Sequence, residues 1–197
     1  MSHVPGIRYR QATSADGPEL VQLFERCGSG CYCRYWHFAG DKNAWLDRLA
    51  HAPELSAREL EQDLATASNT PHGVIASSGE QVIGWMKLTF AQRVDKLYAQ
   101  RPYRGLPLLD GHARRVLTVG CFLVDPDFRR KGVARSLLAE GLELARRVGA
   151  TAIEAFPRQA EMLGEPELWM GPFEIYAALG FEAVYSVGQY PVLRKAL

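Results

Sequence analysis

One stretch of the chain, Val116 to Arg135 (VLTVGCFLVDPDFRRKGVAR), constrains the fold more than any other. It begins with a mostly apolar and β-branched run that predicts a buried strand over Val116 to Val124. A turn containing Pro126 follows, and a basic, glycine-punctuated segment then opens a long helix, predicted from about Lys131 to Val148. This order of strand, turn and helix N-terminus gathers unpaired backbone amides at one point, which suits a bound pyrophosphate.

The loop from Arg129 to Ala134 (RRKGVA) carries the chemistry of this anion site. Gly132 has no Cβ, so a phosphate can approach the backbone closely there. The cationic side chains around the same point are Arg129, Arg130, Lys131 and Arg135. Cations at a helix N-terminus oppose the helix dipole, so they are mildly destabilising unless an anion is bound. We therefore predict an anion site, against the alternative of a merely basic first turn on a surface helix.

The bulk properties are those of one ordinary globular domain. A chain of 197 residues is long enough for one well-buried core, and 47% hydrophobic with 23% charged residues is usual for such a domain. The formal net charge of +1 gives no reason to expect nucleic acid or an anionic membrane as a partner. There is no apolar run of membrane-spanning length, and the opening residues MSHVPGIRYR lack the apolar core of a signal peptide. We expect a single domain over residues 1–197 and a cytoplasmic location.

The remaining patterns predict an α+β domain without internal repeats. The other predicted strands are Ile7–Arg10, Gly73–Ser77, Gln81–Phe90, Thr151–Phe156, Phe181–Val187 and Gln189–Lys195. The first of the other predicted helices follows Thr13 and Ser14 and ends near Cys27. The others are Asn43–His51, Ser56–Ala67 and Phe173–Leu179. A capping box at Ser56 and Glu59 would start the helix Ser56–Ala67. Gln92 to His112 reads as a long connection that either faces a substrate or is merely solvated.

Two motifs resemble the GNAT acetyltransferases. Arg129-x-x-Gly132-x-Ala134, preceded by a strand that ends in Val124-Asp125-Pro126, is similar to the acetyl-CoA signature of that superfamily. Late in the chain, Tyr176-x-x-x-Gly180-Phe181 is similar to its Tyr-x-x-x-Gly-Phe segment. The predicted order of elements matches as well, so the resemblance covers nearly the whole chain. Three further segments resemble a bacterial subgroup of undefined substrate: Gly30-Cys31-x-Cys33-x-x-Trp36, Cys121–Val124 and Glu154–Pro157.

The resemblance implies αβα layers around a mixed, mostly antiparallel twisted sheet, with a central parallel strand pair that splays apart and helices on both sides. It implies that acetyl-CoA, as the acyl donor, rests its pyrophosphate on the amides of the Arg130–Ala134 loop. The pantetheine arm would lie in the splay, and one strand amide would polarise the thioester carbonyl. The cofactor-binding residues implied are Phe122, Val124, Arg129, Arg130, Lys131, Gly132, Val133, Ala134 and Arg135.

The resemblance also suggests a residue for one of the two proton transfers in the reaction. Tyr176 matches a position whose phenol lies near the CoA sulfur in many relatives and could protonate the departing thiolate; the alternative is a core aromatic on a short helix. Many relatives carry a Glu on the central strand as the base, but Thr118 to Cys121 offers none. The base therefore stays open, and the candidates are a water-mediated route, Glu154, His112 and His37. Cys121 is expected to be a small buried core residue rather than an acyl-carrying nucleophile.

The segment Gly28 to Gly40 (GSGCYCRYWHFAG) is rich in glycine, cysteine and aromatic residues and has no clear period. We interpret it as the wall of an acceptor site beside the thioester, against the alternative of a packed cap without substrate contact. The expected substrate-binding residues are Cys31, Cys33, Tyr35, Trp36 and, on the predicted strand Gln81–Phe90, Trp85. Cys27, Cys31, Cys33 and His37 could hold zinc, but their spacing differs from paired C-x2-C modules, so we expect no metal and free thiols.

The function implied is N-acetyl transfer from acetyl-CoA to the amine of a small molecule or peptide, by direct attack in a ternary complex. The missing strand carboxylate motivates an alternative, a non-catalytic acyl-CoA-binding regulator on the same fold. A third hypothesis is a metal- or redox-responsive module built on Cys27 to His37. A homodimer is a further expectation, and no nucleic acid or membrane partner is expected.

Overall fold

The computed structural model describes residues 5–66, 71–107, 115–164 and 167–197, which form a seven-stranded sheet with helices on both faces. The strands are β1 (Ile7–Gln11), β2 (Gly73–Ser78), β3 (Gln81–Phe90), β4 (Val116–Val124), β5 (Ala152–Ala155), β6 (Glu182–Tyr185) and β7 (Val192–Ala196). The helices are α1 (Gly17–Arg26), α2 (Lys42–His51), α3 (Pro53–Ala65), α4 (Asp95–Tyr98), α5 (Val133–Arg147) and α6 (Phe173–Ala178). The strand order is β1-β2-β3-β4-β5-β7-β6. The predicted α+β architecture is confirmed.

Helix α3 begins earlier than predicted. Its first residue is Pro53, whose fixed φ and missing N–H suit the first turn of a helix. Ser56 therefore lies inside the helix, where it is buried and its hydroxyl has no hydrogen-bond partner among the described residues. The predicted capping box of Ser56 and Glu59 is wrong, because the proline supplies the start signal instead.

The first half of the predicted long connection is structured. Residues Ala91–Arg93 form a turn of 3-10 helix, and α4 follows directly. Leu97 and Tyr98 of α4 are buried against the sheet, which is why this segment is not a solvated loop. His112 lies outside the described residues.

All neighbouring strands are antiparallel except β4 and β5. These two pair in parallel at only three positions, the last of which joins Thr118 to Glu154. Strand β4 continues to Val124 without β5 beside it. The predicted splay is confirmed, and we call the wedge between the two strands beyond Thr118 the fork.

A β-bulge on β4 marks the start of the fork. Val119 pairs with Leu88 and Cys121 pairs with Lys87, so Gly120 has no partner on β3. A Cβ on Gly120 would lie 3.2 Å from the Lys87 Cγ, so the bulge residue leaves little room for a side chain. Because an extra residue bends a strand and increases its twist, the bulge turns β4 away from β5.

Two layers of helices cover the sheet. On one face, α5 and α6 pack on a core that contains Leu117, Val119 and Phe122 of β4; we call this the α5 layer. On the other face, α1, α3, α4 and the segment 28–40 pack on cores that contain Val116 and Cys121; we call this the α3 layer.

Helix α5 approaches the sheet most closely at Gly84 of β3. A Cβ there would lie 3.1 Å from the Val133 Cγ1 and 3.3 Å from the Leu137 Cδ1. This close approach fixes the first turn of α5 beside the end of β4. No helix among the described residues is long and apolar enough to cross a membrane.

Candidate active site

The N-terminus of α5 forms an open cradle of backbone amides. Gly132 is the N-cap and has a left-handed backbone conformation, with φ of +84°. Arg130, two residues earlier, is also left-handed at +57°. The first bond of α5 runs from the Ser136 amide to the Gly132 carbonyl at 3.1 Å, so the preceding amides, from Val133 to Arg135, have no partner within the helix. This geometry presents donors and the positive end of the helix dipole to solvent.

Uncompensated charge surrounds this cradle. The side chains of Arg130, Lys131 and Arg135 are exposed, and within the described parts of the chain they form no ion pair. Arg129 behaves differently, because its Nε donates to the Val124 carbonyl at 3.0 Å and braces the loop against the end of β4. The structure thus brings the predicted Arg129–Arg135 residues together around one point.

The backbone of β4 faces the fork at Phe122 and Val124. The Phe122 N–H donates to the Trp169 carbonyl at 2.6 Å, and the Val124 carbonyl accepts from Arg129. The predicted cofactor amide at Phe122 is therefore engaged by the chain's own segment 167–171, which crosses the fork. An amide that holds one carbonyl oxygen at this distance is oriented to hold another.

Tyr176 is fully buried on α6 and points toward the same segment. Its hydroxyl donates to the Met170 carbonyl at 2.6 Å, and its ring packs against Phe122 with centroids 6.3 Å apart. Burial raises the pKa of Tyr176 well above its ordinary value, so the phenol keeps its proton at neutral pH. Gly171 permits this packing, since a Cβ there would lie 2.9 Å from the Phe122 ring and 3.1 Å from the Tyr176 hydroxyl.

On the α3 layer, the aromatic loop (residues Gly28–Gly40) covers the bulge of β4. The Trp36 indole donates to the Gly120 carbonyl at 3.2 Å. The same indole stacks on Trp169, with centroids 5.5 Å apart and planes 28° apart. Tyr35 packs against Trp36 with centroids 4.7 Å apart. Tyr35 and Trp36 of the predicted acceptor wall therefore lie beside the fork, together with Trp169, which the sequence patterns did not single out.

A buried charge cluster (Arg34, Asp63 and Lys87) anchors this loop to α3 and β3. The Asp63 Oδ2 accepts from the Lys87 Nζ at 2.7 Å and from the Arg34 guanidinium at 2.8 Å. Lys87 is only 2% exposed, so its charge depends on this carboxylate. Burial alone would raise the pKa of Asp63, but the His72 ring, Lys87 and Arg34 outweigh it and lower that pKa below the ordinary value.

Trp85 is placed differently from the expectation. Its indole is 0% exposed and packs in the α3-layer core with Leu20 and Ile75. Helices α1 and α3 cover that core, so Trp85 does not line the fork, and we leave it out of the acceptor site. The reason is that β3 is buried on both faces, so its sequence gives no sign of which residues reach a surface.

The thiols of the aromatic loop, Cys31 and Cys33, keep their protons at neutral pH because their pKa values are raised. Contact with the Cys33 side chain, and then burial, raises the pKa of Cys31 far above its ordinary value. Burial does the same for the pKa of Cys33, which is 6% exposed. Among the described residues no group of three or more His, Cys, Asp or Glu side chains could hold a metal ion. All four cysteines are free.

Two of the candidate bases can be compared directly. Burial, followed by the charges of Lys87 and Arg34, lowers the pKa of His37 to about 3, so its imidazole accepts protons poorly at neutral pH. Glu154 instead belongs to a hydrogen-bonded network at the vertex of the fork. Its carboxylate accepts from the Tyr98 hydroxyl at 2.7 Å and from the Arg194 guanidinium at 3.1 Å. Tyr98 was missed from the sequence, because nothing local marks a residue in a long connection as a partner of β5.

The comparisons with known proteins agree with this geometry. Residues 19–162 match the sequence profile of the Acetyltransferase (GNAT) family, so the chain belongs to that family of acetyltransferases. No protein of curated function is detectably similar in sequence.

Solved structures share the fold across nearly the full chain. The GNAT domain of the S. lividans PAT superposes with a TM-score of 0.60 at 19% identity, covering 97% of this chain and 90% of that one. The PaiA N-acetyltransferase of Thermoplasma acidophilum, solved with coenzyme A, gives 0.54 at 13% identity and covers 100% of both chains. YncA of Salmonella typhimurium, solved with acetyl-CoA, gives 0.52 at 16% identity and covers 98% of this chain and 94% of that one.

Proposed function

We propose that the protein transfers the acetyl group of acetyl-CoA to the amine of a small molecule or peptide, by direct attack in a ternary complex. The observation that carries this proposal is the Phe122 amide. It donates to a carbonyl oxygen inside the fork, at the end of a strand that leads straight into an amide cradle with unpaired cations. Family membership supports the reaction class.

The cradle at α5 is the proposed site of the CoA pyrophosphate. The amides of Lys131 to Ala134 and the helix dipole favour two adjacent negative charges. Arg130, Lys131 and Arg135 would supply the charge-assisted contacts, since they have no ion pair among the described residues. The likeness to structures solved with CoA or acetyl-CoA supports this assignment.

The fork is the proposed site of the pantetheine arm and thioester. The thioester carbonyl would replace the Trp169 carbonyl on the Phe122 amide, and Val124 would supply a second backbone contact. A fixed amide dipole at this point stabilises the oxyanion that forms when the amine attacks. The Trp169 carbonyl therefore occupies the position that we propose for the thioester oxygen.

The departing thiolate needs a proton, and we assign Tyr176 to supply it. Its phenol stays protonated because burial raises its pKa. Its hydroxyl already points at segment 167–171 in the fork, through Met170. When that segment yields to the cofactor, the same hydroxyl would meet the CoA sulfur.

The acceptor would enter from the α3 layer, beside Tyr35 and Trp36. Their rings supply an apolar wall next to the fork. Cys31 and Cys33 pack with the α3-layer core that contains Trp85, so we do not propose that they touch the acceptor.

Other expectations from the sequence also remain proposals. We expect one domain over residues 1–197, a homodimer and a cytoplasmic location. Sedimentation of the purified protein tests the oligomeric state.

Calorimetry with acetyl-CoA, followed by thiol release in the presence of amino acids, polyamines, aminoglycosides and peptides, tests the proposed function. We expect binding of acetyl-CoA but not of free acetate, and CoA release with at least one amine. Failure to bind acetyl-CoA would overturn the assignment of the site. Binding without release across the panel would instead favour a non-catalytic acyl-CoA-binding regulator.

A further inference from the structure

An amine that is to attack a thioester must lose a proton, and it is charged in water at neutral pH. Strand β4 offers no carboxylate for this step, since residues 116–124 include neither Asp nor Glu. The nearest carboxylate on the neighbouring strand is Glu154, which pairs in register with Thr118. This is the last strand pair before the fork opens, so the Glu154 side chain lies at its vertex.

Glu154 is enclosed and fully hydrogen-bonded. It is 0% exposed, its Oε1 accepts from Arg194 at 3.1 Å and its Oε2 accepts from Tyr98 at 2.7 Å. These are the only titratable or charged groups that bear on it in the described structure. Burial raises the pKa of Glu154, although Tyr98 and Arg194 oppose that effect, so it is a stronger base than an exposed Glu.

The direction of each hydrogen bond leaves Tyr98 able to accept a proton. Its one hydroxyl hydrogen is donated to Glu154, so the Thr118 hydroxyl, 2.7 Å away, donates to the Tyr98 oxygen. A phenolic oxygen has two lone pairs, and Thr118 uses one of them. The second receives no hydrogen bond from the described residues.

Tyr98 lies on the side of the sheet from which the acceptor would enter, the α3 layer. Its ring packs edge-on against Phe156 with centroids 5.2 Å apart. Both belong to the same α3-layer core cluster as Trp36 and Met170, the residues that lie beside the fork. The Tyr98 hydroxyl therefore links the second carboxylate oxygen to the layer from which the acceptor would enter.

We propose that Glu154, acting through the Tyr98 hydroxyl, receives the proton of the acceptor amine. The ammonium gives a proton to the Tyr98 oxygen as Tyr98 gives its own proton to the Glu154 Oε2. The step leaves a neutral amine, an unchanged tyrosine and a protonated Glu154. Arg194 cannot take this proton, because a guanidinium only donates, so its role is to hold the carboxylate in place. The proton returns through the Tyr98 hydroxyl to water in the fork after the products leave. This inference rests on the proposed acetyl transfer.

The test compares the native protein with Glu154→Gln and Tyr98→Phe, using the amine of the panel that releases CoA fastest. Glu154→Gln keeps the shape of the side chain but removes its charge, and Tyr98→Phe removes only the hydroxyl. We expect kcat to fall by about 100-fold for each, a typical contribution of general base catalysis. The calorimetric Kd for acetyl-CoA should stay within about twofold of the native value, because neither group touches the cradle.

The pH profile separates proton transfer from a structural role. In the native protein kcat/KM should fall on the acid side as Glu154 protonates, at a pH above that of an ordinary Glu. This acid limb should be absent in Glu154→Gln. The matched control is Glu182→Gln, the same change at an exposed position whose register partner is also Arg194. It should keep both the rate and the profile.

Each outcome decides one proposal. A native acid limb that persists in Glu154→Gln, or turnover within about threefold of native in both variants, would overturn the relay and leave the acetyl transfer standing. Weakened acetyl-CoA binding in both variants would also overturn it, since that marks a structural role. A native protein that binds acetyl-CoA but acetylates no amine would refute the proposed catalysis itself.

Discussion

The two regions that flank the fork are built on opposite principles. The cradle at residues 129–135 is contiguous in sequence and largely exposed, and it presents backbone amides that have no partner within α5. The aromatic loop at residues 28–40 is held by side chains that reach 29 residues along the chain to Asp63 and 84 residues to Gly120. A site made of consecutive amides leaves a short signature in the sequence, whereas a site made of long-range side-chain contacts does not.

Their electrostatics differ in the same way. The buried charges beneath the aromatic loop are paired, with Asp63 between Lys87 and Arg34. The exposed charges of the cradle are unpaired among the described residues. The paired charges under the loop hold it to α3 and β3, whereas the exposed charges of the cradle are available to the proposed cofactor. Substitutions should therefore damage stability in the first region and cofactor affinity in the second.

The largest effect should follow Asp63→Ala. The change leaves the Lys87 ammonium buried without a counter-charge, which should lower the free energy of unfolding by about 3 kcal/mol. Urea denaturation measures this. Glu143→Ala, which breaks an exposed pair with Arg146, is the control and should change stability by less than about 1 kcal/mol.

The pH dependence of this loss follows from the lowered pKa of Asp63. A carboxyl whose pKa is lower in the folded state stabilises the fold above its unfolded pKa of about 4, and this contribution disappears as the pH falls toward the folded value. The native protein and Asp63→Ala should therefore converge in stability below about pH 4. A gap that stays constant down to acid pH would argue against the ion pair as its cause.

The next largest effect should follow Gly132→Val. A side chain in a left-handed backbone position at the mouth of the cradle strains the loop and fills the space where a phosphate must approach. We expect acetyl-CoA affinity to fall about 100-fold, or about 2.7 kcal/mol, by calorimetry. Gly149→Ala is the matched control at the other end of α5, with φ of +71° and open space around it. It should lose stability but keep its affinity.

A smaller effect should follow the double change Arg130→Gln and Lys131→Gln. It removes two exposed charges but leaves every amide of the cradle in place, so affinity for acetyl-CoA should fall about tenfold at low salt. Because exposed charges are screened, the difference from native should shrink as salt rises. A loss as large as that of Gly132→Val would show that side chains, rather than the backbone, dominate the cradle.

The same contrast explains what the sequence could predict. The bounds of β4 were predicted in full because the strand is one apolar run between polar residues. The cradle was predicted because its residues are neighbours in sequence. The splay of β4 from β5 was predicted only from the family resemblance, because no sequence pattern shows that two strands pair at just three positions.

What escaped prediction depends on tertiary packing. Tyr98 and Trp169 come from segments without a clear period, and only the packing of α4 and of residues 167–171 brings them to the fork. Trp85 was expected in the acceptor site but lies in the core. Because β3 is apolar on both faces, no alternation in its sequence shows where its side chains point.

The bulge at Gly120 reverses the face of the sheet to which the even-numbered residues of β4 point. Before it, even-numbered residues face the α3 layer, as Thr118 does when it contacts Tyr98; after it, even-numbered residues face the α5 layer, as Phe122 does beside Tyr176. Removing the extra residue would restore strict alternation and send one half of the strand to the wrong layer. Because β4 contains this one extra residue, it contacts the proposed proton network on one side of the sheet and the proposed thioester site on the other.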